Sequence, residues 1–217
     1  MTTGIERAQA FDNQPIGGGG AATLFHESRW LTEWVAPNSL EVQAEYENLT
    51  KGLASDWDKI LACFNRVLDI PYTSAVRIKV SVDGRTFVQE DAWLDPAQAL
   101  MAPKLNCSNR SFVLASLLRQ EHTPEQVWVT LGNLKLDGLG GHAWVLLRGN
   151  QDYIMETTSP RIRTPITHSE AHEAVVFFND REVRVVPGRQ VTEPFSSCWC
   201  IPFLEDYLDK RACYNLK

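Results

Sequence analysis

The sequence predicts an α+β domain, with helices first and a mostly antiparallel sheet after them. Three observations predict it. An apolar stripe at steps of three and four runs from Val42 to Val67. A second apolar helical pattern opens at Cys107. Beyond it the pattern changes to short apolar or alternating runs divided by polar turns, as strands require.

The 217 residues fit one domain with appendages. Residues 1–22 read as a flexible arm, because the run Gly17 to Gly20 brings no side chain to a core and loses much entropy if ordered. Residues 23–217 read as a single domain without internal repeats. In TLFHESRWLTEWV, Leu24, Leu31, Trp34 and Val35 fall near one helical face, which predicts a short docking helix. The main stripe is Val42, Tyr46, Leu49, Leu53, Trp57, Ile60, Phe64 and Val67. Gly52 weakens its middle and Ser55 with Asp58 resembles a new cap, so it forms either one helix or two, over about 41–50 and 55–69. Pro71 ends it. AVRIKVSV and RTFVQEDAW alternate around Asp83-Gly84, a hairpin signal. A loop with Pro96 and Pro103 leads to a helix over 107–120, with Val113, Leu114, Leu117 and Leu118 inward. QVWVTL, HAWVLLR, DYIMET, EAVVFFN and EVRVVP are strands, the last two joined at Asn179–Asp180, and FLEDYLDKRACYNL is a closing helix.

Composition narrows the function. A hydrophobic share of 44% supplies a core, and a net charge of −6 argues against a broad nucleic-acid surface. No stretch approaches the roughly 20 apolar residues of a membrane span. The first residues lack a basic start before an apolar run, so they do not read as a secretory signal. Cys63, Cys107, Cys198, Cys200 and Cys213 are odd in number and irregular in spacing, which is no disulfide framework; a cytoplasmic setting is expected.

A thiol nucleophile needs a base, and the base needs a partner to hold its ring. Cys107 opens a helix, where unpaired N–H groups favour a thiolate, and Asn106 or Ser108 is placed to cap it. Its polar neighbours Lys104, Asn106, Ser108, Asn109 and Arg110 make this a poor place to hide a thiol. His142 follows Gly140-Gly141 at the start of a strand, and Glu156 ends the next strand. Each has a bland reading when taken singly: a small buried hydrophobe, a satisfied core histidine, a solvated carboxylate.

Taken in order, Trp93-Leu-Asp-Pro96, Cys107, His142-Ala143-Trp144 and Glu156-Thr157-Thr158 resemble the transglutaminase-like superfamily, particularly its bacterial cysteine proteinases, over residues 93–158. The resemblance implies a papain/transglutaminase-like fold with the catalytic cysteine at the N-terminus of a helix packed on the sheet. It implies Cys107 as nucleophile, His142 as base and Glu156 as the residue that orients the ring. Two departures from the family matter. Glu156 stands where Asp is usual. The usual Asp-Cys-Glu-Asp is Asn106-Cys107-Ser108-Asn109, and these neutral ligands make a poor calcium site, so no metal and no cofactor are expected.

The expected function is a thiol hydrolase cleaving an amide or peptide bond of a peptide or protein substrate through a thioester. The oxyanion would be held by the Cys107 N–H and by one of Trp93, Gln98 or Asn106. The alternatives are acyl transfer to an amine and an inactive domain that binds a peptide or partner. His168 and His172, spaced i, i+4 in THSEAHE, have a spacing that binds zinc on a helix, but a third ligand is not obvious and a solvated helix is the favoured reading. Cys198-Trp199-Cys200 reads as core packing, and the glycine run is not a phosphate loop. Asp152 is the nearest rival to Glu156, roughly 13 Å away at strand rise.

Overall fold

A six-stranded sheet, antiparallel at every pairing, and a buried helix across it organise the chain. The computed structural model describes residues 5–11, 15–16, 29–74, 76–82, 85–89, 92–135, 141–159 and 161–189. A 3-10 turn, Ile5–Arg7, precedes β1 (Gln9–Phe11), β2 (Pro15–Ile16) and β3 (Arg29–Trp30). A second 3-10 turn, Leu31–Trp34, leads to α1 (Leu40–Thr50) and α2 (Asp56–Asp69). Then come β4 (Ile78–Val82), β5 (Arg85–Gln89), α3 (Pro96–Leu100) and α4 (Cys107–Leu118). The rest of the main sheet is β6 (Val127–Leu134), β7 (Gly141–Leu147), β8 (Tyr153–Met155), β9 (His172–Phe178) and β10 (Val183–Val185), in the order β1-β10-β9-β6-β7-β8.

The apolar stripe resolves into two helices. Gly52 takes φ +81°, a left-handed turn that a side chain would strain. The Ser55 hydroxyl then accepts the Asp58 N–H and starts α2, which buries Ile60, Cys63, Phe64, Val67 and Leu68. Among the described residues the expected docking helix is represented by the 3-10 turn Leu31–Trp34, and Leu24 lies outside them. The Trp34 ring stacks on Phe112 at 5.7 Å and meets the Trp93 ring edge-on at 5.5 Å. β4 and β5 pair antiparallel as a separate two-stranded sheet, from Ile78 opposite Gln89 to Val82 opposite Arg85.

All twelve residues of α4 are buried, between α1, α2 and α3 on one side and β6 and β7 on the other. This corrects the reading of its start as exposed: Cys107 is 2% exposed and Asn106 3%. The polar neighbours bond inward instead. Asn106 Oδ1 accepts the Asn109 N–H and the Asn109 side-chain amide. Asn109 in turn accepts the Leu94 N–H at 2.6 Å and donates to the Ala92 carbonyl at 2.9 Å. The Asn109 amide, held by Asn106, thus pairs the backbone of the loop before α3, where the Ala92 N–H also donates to the Val76 carbonyl.

The far face of the sheet carries a second cluster, with Ile5, Trp128, Trp144, Leu146, Ala174, Phe177 and Val186. Ile5 docks there and β1 pairs with β10, so these residues of segment 1–22 belong to the fold rather than to a flexible arm. Gly17–Gly20, Asp83–Gly84, the FLEDYLDKRACYNL helix and Cys198, Cys200 and Cys213 lie outside the described residues. No described helix is long and apolar enough to cross a membrane.

Candidate active site

Asn106 has extended backbone and caps α4 with its side chain, so Cys107 occupies the first helical turn, where the helix dipole favours a thiolate. α4 packs on β7, the strand that carries His142.

The imidazole Nε2 of His142 lies 2.9 Å from Glu156 Oε2 and 3.2 Å from Oε1, with both side chains buried. The register explains the glutamate. Met155 pairs with Val145, so the next step puts Glu156 opposite Trp144. His142 is then its diagonal neighbour on the same face, within reach of a long side chain. The extra methylene relative to Asp spans that diagonal. The Thr158 N–H and hydroxyl donate to Glu156 Oε1 at 2.9 and 2.6 Å. Asp152, the rival carboxylate, pairs instead with Arg148, with Nε to Oδ1 at 3.6 Å.

A second histidine shares the carboxylate. His172 Nε2 lies 3.0 Å from Glu156 Oε2, and its Nδ1 lies 2.7 Å from the Ser169 hydroxyl. This corrects the reading of THSEAHE as a surface helix: His168 is in a loop and His172 begins β9. A strand signal was present, since His172, Ala174, Val176 and Phe178 alternate, but the i, i+4 histidine spacing competed with it. Gly132 lets β9 and Trp144 close in. A Cβ there would stand 2.2 Å from the Glu173 carbonyl and 2.7 Å from the Trp144 ring. Trp144 in turn stacks on His142 at 5.9 Å and meets His172 edge-on at 4.9 Å.

Arg110, one helical turn beyond Cys107, is 1% exposed and was not singled out from the sequence as a functional residue. Its guanidinium donates to the carbonyls of Thr157, Thr158, Leu68 and Ile70 and lies over the Tyr72 ring at 5.1 Å. It therefore clamps the chain just after Glu156 onto the helix that begins with Cys107. Burial lowers its pKa to about 10, and the charges of Tyr72, Glu156 and Cys107 act to raise it. At neutral pH it is a buried cation in the field of both Cys107 and Glu156.

Of the three oxyanion candidates, Gln98 is exposed on α3 and Asn106 is engaged in capping. Trp93 is 5% exposed, and its buried indole N–H has no acceptor among the described residues. Its ring packs edge-on against Phe112 at 5.0 Å.

Burial alone would raise the pKa of Glu156, but the charge and hydrogen bond of His142, with those of His172, hold it well below 4.5. Burial lowers His172 below 6.5 against the pull of Glu156, and the nearby His142 adds to the lowering. Both shifts act in the same direction on stability. The His172 contribution is present above the unfolded value near 6.5 and is lost as pH falls below it. The Glu156 contribution is present above about 4.5 and is lost as pH falls through the lower folded value. The urea midpoint should therefore fall from pH 7 downward, more steeply below 4.5. His122 is lowered by burial too, so His172→Gln against the parent isolates the first limb. An unchanged midpoint between pH 7 and 4 would refute the shifts.

His142, Glu156 and His172 also form a group whose ligand atoms all lie within 4.8 Å of one another. His172 thus joins a different donor set from the His168 pairing read in the sequence. Beside it lies a cleft of about 470 Å³, lined by Trp144, Ser169, His172, Asp152, Lys135 and Arg189 among others.

The fold and site define an α+β protein with a capped, buried cysteine helix on an antiparallel sheet and a His–Glu–His cluster beside it. No family model matches the sequence, and no curated protein matches it. Solved structures of LapG from Legionella pneumophila are similar. The EGTA-treated form has TM-score 0.49 at 13% identity over 81% of this chain and 94% of that one. The calcium-bound form has TM-score 0.44 at 12% identity over 77% and 98%.

Proposed function

We propose that the protein is a thiol enzyme that hydrolyses an amide or peptide bond of a peptide or protein substrate. The observation that carries this reading is the buried contact of His142 Nε2 with Glu156. It commits Nε2 to the carboxylate and leaves Nδ1 as the ring nitrogen for proton transfer. The motif order over residues 93–158, which resembles transglutaminase-like cysteine proteinases, supports it.

In this reading His142 takes the Cys107 proton, the sulfur attacks the carbonyl, and the imidazolium protonates the leaving amine. Glu156 orients the ring and stabilises its charge. Arg110 holds the Glu156 segment against α4. The oxyanion is held by the Cys107 N–H and the Trp93 indole N–H, whose lack of an acceptor supports that role. Water then resolves the thioester. Burial of Cys107 favours a second reading, transfer of the acyl group to an amine, because a dry thioester reacts first with a bound nucleophile. A reduced Cys107 suits the cytoplasmic setting proposed for the chain.

Short peptide p-nitrophenyl esters test the proposal. Intact-protein and tryptic mass spectra should show an acyl group on the Cys107 peptide, and an added primary amine separates hydrolysis from transfer by the product formed. Acylation spread over other cysteines, or none at Cys107, would sink the reading.

A further inference from the structure

A His142–Glu156 pair is complete for thiol chemistry without His172. Yet His172 is brought by β9 onto the same carboxylate oxygen, with its side chain only 1% exposed. We infer that His142 Nε2, His172 Nε2 and Glu156 Oε2 form a site for a transition-metal dication, Zn²⁺ foremost, and that filling it switches Cys107 off.

The donor set is two imidazoles and a carboxylate, which suits zinc. Both ring nitrogens point at one oxygen, at 2.9 and 3.0 Å. Ligands about 2.0–2.1 Å from a tetrahedral zinc stand roughly 3.3 Å apart, a few tenths of an ångström beyond the two nitrogen–oxygen contacts, and all three ligand atoms lie within 4.8 Å of one another. The outer contacts are those a metal site needs. Ser169 is placed to accept the His172 Nδ1 proton, which fixes Nε2 as the ligand atom. Thr158 holds Glu156 Oε1 with two hydrogen bonds and leaves Oε2 turned to the histidines. Of the three ligands, His172 borders the cleft with Ser169 and Trp144, so that is the side from which an ion and a water for an open position would enter.

The switch follows from proton placement. A neutral imidazole that binds metal through Nε2 carries its proton on Nδ1. His142 in that state cannot accept the Cys107 proton, and the thiol stays protonated. This consequence rests on the proposed thiol chemistry, whereas the metal site itself does not.

Zinc titration of the full-length Cys107→Ala protein, with Cys63, Cys198, Cys200 and Cys213 also replaced by Ser, tests the site without any thiol ligand. One Zn²⁺ should bind. His172→Gln and Glu156→Gln in that background should weaken it by more than about 100-fold, beyond the usual effect of losing an outer contact. Circular dichroism checks that each variant is folded. Absence of Zn²⁺ binding, or equal binding by folded His172→Gln, overturns the site. With the parent, Zn²⁺ should slow iodoacetamide labelling of Cys107, and His172→Gln should remove that effect. Labelling that is fast without metal and unchanged by bound Zn²⁺ overturns the switch. Labelling that is slow without metal counts against the thiol enzyme, and the titration then judges the metal site alone.

Discussion

Cys107→Ala is expected to remove turnover, by a factor on the order of 10⁶ if it resembles nucleophile removal in other triads. The protein should remain folded. Cys107 is 2% exposed within the main core, but the change deletes one heavy atom from a helix already capped by Asn106. A loss of about 1 kcal/mol is reasonable for one small buried group, which lowers Tm by roughly 2–4 °C in a chain of this size. Cys63 gives the contrast. Burial, with Glu121 and Glu45 adding to it, pushes its thiol up to about 12, so Cys63→Ala should leave the chemistry intact. Ester turnover and thermal melts of both variants check this. Full activity in Cys107→Ala would remove the assignment.

Glu156→Gln is the second large effect. The amide keeps the shape but loses the charge that stabilises an imidazolium on His142. Comparable changes in buried triads cost roughly 10⁴ in rate. A smaller loss is expected here, because a thiolate and an imidazolium partly stabilise each other. Stability should fall as well, since two buried histidines and Thr158 lose a charged acceptor. Glu156→Asp keeps the charge but shortens the reach across the β7–β8 diagonal, so its loss should be intermediate. Asp152→Asn should change the rate by a few-fold at most, because that carboxylate pairs with Arg148. Single-turnover rates decide it. A large loss confined to Asp152→Asn would move the orienting role to that residue.

Local signals made much of this fold legible in advance. Ser55 and Gly52 divide α1 from α2 through contacts within three residues, and such contacts show in sequence. The start of α4 at Cys107 and the strands around His142 and Glu156 were legible for the same reason. What stayed hidden is nonlocal. The polar residues at the head of α4 predict exposure, yet Asn109 spends its amide on Ala92 and Leu94, on a separate stretch of chain. Ile5 and β1 close the sheet against the far end of the described chain, and nothing near residue 5 announces that partner. His172 reaches Glu156 only because β9 pairs with β6 across a register shift at Leu131/Gly132. Arg110 reads as one more polar residue until its carbonyl acceptors on two other segments are seen.

In the proposed mechanism Cys107 is activated by an imidazole that Glu156 holds. The most direct measurement of that activation is the pH dependence of Cys107 carboxamidomethylation, followed peptide by peptide, with Cys63 as the inert internal reference. Cys107 should label fast well below the ordinary thiol pKa of about 8.5. In His142→Ala the labelling should shift to the alkaline limb of an ordinary thiol. Glu156→Gln should fall between the two. A Cys107 that labels slowly at neutral pH, with the same profile in parent and His142→Ala, would contradict activation of the thiol by His142.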